Sequence, residues 1–153
     1  MPKRKERIRA VFDTNVVIRH FIGYSRGRKQ AFNRNVFELW FIKSQIQLLV
    51  SPEIIEEYLE AMESILNIRQ ELLEKWRQRF SGHSADMVSA GKRYIFSRDS
   101  ADNVFLNIAA AGKADFLITN DRDLLEIKEE DKRKLKFEIV TPKQFLERWE
   151  TSS

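Results

Sequence analysis

The chain has 153 residues, 27 Lys and Arg against 23 Asp and Glu, and a formal net charge of +4. That length suits a single domain over residues 1–153, and 42% hydrophobic residues supply a core, which excludes a disordered chain. With no cysteine and two histidines, His20 and His83, a disulfide framework, a thiolate metal site, a cysteine nucleophile and a His-rich zinc site are all excluded.

The charge is unevenly placed. Residues 1–35 hold ten Lys and Arg against Glu6 and Asp13, or +8, and the rest of the chain holds seventeen against twenty-one, or −4. A basic N-terminal stretch on an acidic remainder points to a polyanionic partner. Met1–Arg7 reads as a flexible basic tail, and a second short tail is expected over 150–153.

In chain order, Ile8–Phe12 reads as a buried strand ending at Asp13-Thr14-Asn15. The spacing predicts a helix from Asn15 to Ile22, stopped by Gly23, then a polar loop over Tyr24–Gln30. Ala31–Ser44 has helical spacing, and Ile46–Val50 is a second strand. Ser51-Pro52 opens a helix, with Ser as cap and Pro in the first turn. That helix carries Ile54, Ile55, Tyr58, Leu59, Met62, Ile65 and Leu66 on one broad face, and another helix is predicted over Ile68–Phe80. A third strand is expected at Arg93–Phe96, a small-residue helix from Ala101 to Gly112, and a fourth strand at Asp115–Thr119. A helical turn at Leu124-Leu125, a fifth strand at Lys136–Val140 and a helix opened by Thr141-Pro142 complete the chain. Trp40, Trp76 and Trp149 fall in apolar helical patterns and read as core or interface residues. Strands alternating with helices imply an α/β fold, a three-layer α/β/α sandwich around a mainly parallel sheet.

Acidic residues gather at strand ends in this scheme. Asp13 follows the first strand, Glu56 or Glu57 lies on the helix after the second, Asp102 opens the small-residue helix, and Asp121 follows the fourth strand. Sites in open α/β sheets form at the carboxyl ends of strands, so these positions can converge. Each also has a local use. Asp13 suits a helix cap, Asp121 and Asp123 suit a turn, and Asp99 suits the cap of the helix holding Asp102. Glu57 is mildly preferred over Glu56 because it lies beside the small Ala61. Clustered carboxylates need protons or a cation, and oxygen ligands without Cys or His suit Mg²⁺ or Mn²⁺. Such an ion beside a basic surface points to phosphodiester chemistry, since it polarises a phosphoryl oxygen and acidifies an attacking water. No P-loop, dinucleotide fingerprint or nucleophile elbow is present.

Four segments in order resemble the PIN-domain family (the PilT N-terminal domain nucleases): Val11-Phe12-Asp13-Thr14-Asn15, Ser51-Pro52-Glu53-Ile54-Ile55-Glu56-Glu57, Asp99-Ser100-Ala101-Asp102-Asn103, and Ala114–Leu125 around Thr119-Asn120-Asp121-Arg122-Asp123. The register of that resemblance favours Glu57. It implies a PIN-like fold and a metal-dependent endoribonuclease, holding one or two Mg²⁺ or Mn²⁺ ions on Asp13, Glu57, Asp102 and Asp121. Thr14, Asn15, Asp99, Thr119, Asn120 and Asp123 would support them, and 5′-phosphate and 3′-hydroxyl products are expected. Arg26, Arg28, Lys29, Arg34, Arg98 and Arg122 are expected to hold RNA. Within the family the chain looks closest to VapC-like toxins of toxin–antitoxin pairs, which implies an antitoxin partner and a homodimer. The alternative is a PIN-like module that binds RNA or a partner without cutting. No apolar run approaches the roughly 18 residues of a membrane span, and the basic start lacks a signal-peptide core, so a cytoplasmic protein with no membrane partner is expected.

Overall fold

The computed structural model describes residues 7–26, 31–91 and 100–152. Strand β1 (Ile8–Phe12) leads into helices α1 (Thr14–Arg26) and α2 (Ala31–Phe41), strand β2 (Ile46–Val50), helices α3 (Pro52–Leu66) and α4 (Gln70–Phe80) and strand β3 (Ala85–Met87). Helix α5 (Ser100–Ala111), strand β4 (Phe116–Ile118), short helices α6 (Arg122–Leu125) and α7 (Glu129–Lys132), strand β5 (Glu138–Val140) and helix α8 (Pro142–Ser152) follow.

Local chemistry explains the best-defined helix. The Ser51 hydroxyl accepts the Ile54 N–H at 3.1 Å, Pro52 opens the first turn, and Asn67 at φ 55° closes the helix. Asn tolerates that left-handed conformation better than most side chains. The buried residues Ile54, Ile55, Tyr58, Leu59 and Met62 form the inner face that the apolar spacing predicts.

The sheet is wholly parallel, in the order β3-β2-β1-β4-β5. The chain builds outward from β1 to β2 and β3, then crosses back to add β4 and β5 on the other side. Right-handed crossovers place the helices of these two halves on opposite faces of the sheet. α1 to α4 therefore cover one face, joined by α8 packing on α2, and α5 covers the other against β1, β2 and β4. The strand order reverses between β1 and β4, and the register sets Val11 opposite Leu117 and Phe12 opposite Ile118. The core lies on both faces of β1 and β2, where Ala10, Val11, Phe12, Leu48, Leu49 and Val50 are fully buried. Trp40 is buried there too, and Trp76 and Trp149 pack half-buried against this core.

Several boundaries differ from the sequence reading. α1 runs through Gly23 to Arg26 rather than stopping at the glycine. A glycine inside a helix costs only about 1 kcal/mol, which packing against α2 and α3 can offset. α2 ends at Phe41, and α8 continues to Ser152, so helix occupies most of the expected 150–153 tail. The expected strand at Arg93–Phe96 lies outside the described residues. The strand paired with β2 is Ala85–Met87, whose three residues carry no readable alternation. It is held by ladder bonds and by the Trp40 indole, which donates to the Ser84 carbonyl at 3.0 Å. α7, Glu-Glu-Asp-Lys, has no apolar residue to announce it. Among the described residues no helix is long and apolar enough to cross a membrane.

Candidate metal centre

The site is built on the reversal of strand order. The Asp13 N–H, just past β1, donates to the Ile118 carbonyl at 2.9 Å, and this bond sets Asp13 beside the end of β4. Asp102 stands in the first turn of α5, and Asp121 caps α6, its carboxylate accepting the Asp123 N–H at 2.9 Å. One carboxylate oxygen from each of Asp13, Asp102 and Asp121 lies within 4.8 Å of the others. Asp13 is 5% exposed and Asp102 4%, with Asp121 half-buried.

Hydrogen bonds stitch the loops after β1 and β4 together. Asp13 Oδ2 accepts the Thr119 hydroxyl at 2.5 Å and the Asn15 amide at 3.1 Å. The same Thr119 oxygen accepts the Asp121 N–H at 2.9 Å, so one fully buried hydroxyl links the Asp13 carboxylate to the Asp121 backbone. Asn15 Oδ1 accepts from both the backbone and the side-chain amide of Asn120, at 3.1 and 3.2 Å.

The two glutamates of α3 diverge. Glu56 forms an ion pair with Arg77 of α4. Glu57 accepts the Thr14 hydroxyl at 2.7 Å and stands beside the three aspartates rather than inside their 4.8 Å group. It is near enough that its charge acts on Asp13.

Asp13 carries the strain of the arrangement. Burial first, then the charges of Asp121 and Glu57, push its carboxyl from 3.8 up to about 6, against the opposing pull of the Thr119 bond. No lysine or arginine among the described residues pairs with Asp13 or Asp121. A cluster of oxygen donors drawn together in a largely buried setting fits a hard divalent cation, which relieves the repulsion that a proton otherwise must.

One residue escaped the sequence reading. Tyr58, fully buried, donates its hydroxyl to the carbonyl of Phe12, the residue before Asp13. Burial, with the charges of Asp13 and Glu57, pushes the phenol well above its usual range and keeps it a donor. The available signal was a tyrosine on the apolar face of α3 next to Glu57, which suited plain packing equally well. His20 is buried and stacked on Phe37 at 3.9 Å, away from any role suggested by the motifs.

The expected RNA contacts are placed unevenly. Arg122 is exposed directly after Asp121. Arg26 and Arg34 lie on α1 and α2, with backbone alone described, and Arg28, Lys29, Arg98 and the supporting Asp99 fall outside the described residues.

A family model described as PIN domain matches residues 9–123, which takes in Asp13, Glu57, Asp102 and Asp121. No curated protein matches the chain. The match, the parallel α/β/α architecture and the acidic cluster agree, and the chain belongs to the PIN-domain family, whose members are generally metal-dependent nucleases.

Proposed function

We propose that this protein is an endoribonuclease that hydrolyses RNA phosphodiester bonds with Mg²⁺ or Mn²⁺, one ion or two, held by Asp13, Asp102 and Asp121 with Glu57 at the rim. The observation that carries this reading is the set of three aspartate oxygens within 4.8 Å, with no basic partner for Asp13 or Asp121 among the described residues. A divalent ion bound there supplies Lewis acidity toward phosphate and acidifies water. The residues of the chain do the remaining work. Thr119 and Asn15 hold Asp13 in one orientation, Thr119 also fixes the backbone of Asp121, and Thr14 sets Glu57. Asn120 and Asp123 tie down the loop that carries Asp121. Arg122, with Arg26 and Arg34, supplies cations for the phosphate backbone, an attraction that weakens as salt rises.

The basic N-terminal stretch, +8 over residues 1–35, supports RNA as the polyanion. A role as the toxin of a cytoplasmic toxin–antitoxin pair, paired with itself, follows from the resemblance of the four motifs. The exposed Ile65 and Leu72 of the α3–α4 hairpin offer surface for such pairing, which light scattering on the purified protein tests.

The activity itself is tested with purified protein and single-stranded RNA, with Mn²⁺ or with EDTA. Cleavage is expected in Mn²⁺, absent in EDTA, and lost in Asp102→Asn, with 5′-phosphate ends on the products. Equal cleavage by the wild type and the variant would place the activity elsewhere. RNA binding without turnover under any divalent ion would leave a module that binds but does not cut.

A further inference from the structure

A cavity opens at the opposite end of the sheet from the aspartates. It has a volume of about 470 Å³ and is walled by Trp40 and Phe41 at the end of α2, Lys75 and Arg79 on α4, and His83 and Ser84 before β3. Phe41 precedes β2 and Ser84 precedes β3, so the cavity adjoins the amino ends of these strands. The length of β2, five residues at about 3.3 Å each, separates that end from the aspartates by roughly 17 Å.

The charge on α4 is sorted by face. Arg77 is neutralised by Glu56 and Glu74. Lys75 and Arg79, one turn apart and facing the cavity, pair with no carboxylate among the described residues, and the lining contains no acidic side chain. Exposed His83 adds a further nitrogen donor or acceptor. The Arg79 guanidinium lies 5.0 Å over the Phe41 ring, and Phe41 is backed by Trp76 at 5.0 Å. This is an aromatic wall faced by the Arg79 guanidinium, with Lys75 as a second unneutralised cation beside it. An apolar occupant would strip water from those cations and return nothing, and a metal ion would be repelled. A phosphate beside a planar ring satisfies both halves, and the volume falls in the range of ligand sites.

We propose that this cavity holds one nucleotide of a single-stranded RNA bound at the aspartate cluster, with phosphate on Lys75 and Arg79 and the base against the Phe41–Arg79 wall. The proposal rests on the RNA-cleaving reading, but its test does not depend on cleavage.

A fluorescent single-stranded oligoribonucleotide of about twenty nucleotides, longer than a typical single binding platform, is titrated in EDTA at several salt concentrations. Wild type is compared with Lys75→Gln/Arg79→Gln and with Arg77→Gln. Glutamine preserves helix propensity, and melting curves confirm that each variant is folded. The double variant is expected to bind about tenfold more weakly, with a salt slope reduced by about 1.4, the value for two lost single-strand phosphate contacts. Arg77→Gln is expected to bind as wild type does. Unchanged binding in the double variant, an equal loss in Arg77→Gln, or no binding by wild type would overturn the proposal. Displacement of the oligonucleotide by an acidic peptide of matching charge, at the same concentration, would assign the cavity to a protein partner and overturn it too. If wild type binds RNA through these residues and never cuts it, the cavity stands and the nuclease reading falls.

Discussion

Asp13→Asn is expected to remove RNA cleavage, by on the order of 10³-fold, and to stabilise the metal-free protein at neutral pH. The two effects have opposite signs because one carboxylate serves function at the cost of the fold. Its proton is held until about pH 6 in the native protein and released near 3.8 when the chain is unfolded. Below 3.8 both states are protonated and the residue is neutral toward stability. As pH rises from about 4 to about 6 the unfolded chain gives up the proton first, so native stability falls across that window and levels off above it. A difference of this size is worth about 3 kcal/mol at pH 7.5, an upper bound on what a neutral asparagine recovers, since asparagine can still accept from Thr119. Melting temperatures in EDTA at pH 5 and pH 7.5 check the sign. Wild type should lose stability between the two pH values by more than Asp13→Asn does. Added Mn²⁺ should stabilise wild type far more at pH 7.5 than at pH 5, because an ionised Asp13 is what an ion requires. A wild type equally stable at both pH values, with no response to Mn²⁺, would remove the electrostatic basis of the site.

Thr119→Val carries the second large effect. Valine matches threonine in shape, so the core is not emptied, yet two hydrogen bonds disappear together. Asp13 loses its 2.5 Å donor, and the part-buried Asp121 N–H loses its acceptor. A charge-assisted bond and a stranded N–H together cost about 2–4 kcal/mol. The lost bond was also the larger of the two hydrogen-bond effects lowering the Asp13 pKa, so the carboxyl should rise further and bind cations less readily at neutral pH. Loss of an orienting partner of this kind weakens ion affinity by about 10- to 100-fold. Thr119→Ser keeps the hydroxyl and should recover most of both quantities. Equal Mn²⁺ affinity in Thr119→Val and wild type would show that the carboxylates hold their places without this link.

Much of this arrangement was readable because strand ends announce themselves. Ile8–Phe12 and Ile46–Val50 are apolar runs bounded by Asp13-Thr14-Asn15 and Ser51-Pro52, and the observed strands have the same limits. Three aspartates meet because each directly follows a strand or opens a helix, positions visible without coordinates. Glu56 and Glu57 were harder to separate, since both flank the apolar face of α3. What parts them is tertiary: Arg77 lies on one side and Thr14 on the other. Strand β3 was hidden because three residues, Ala-Asp-Met, hold their place through ladder bonds to β2 rather than through their own pattern. Tyr58 was hidden for the opposite reason, as an aromatic on a buried helix face needs no explanation beyond packing until its hydroxyl is seen reaching Phe12.

The most direct test is a calorimetric titration of metal-free protein with Mn²⁺ at pH 7.5, run beside Asp102→Asn. Saturable binding to one or two sites in wild type, with at least a tenfold loss in the variant, is the expected result. Identical titrations for the two proteins, or no binding by either, would mean that the three aspartates do not form a metal centre.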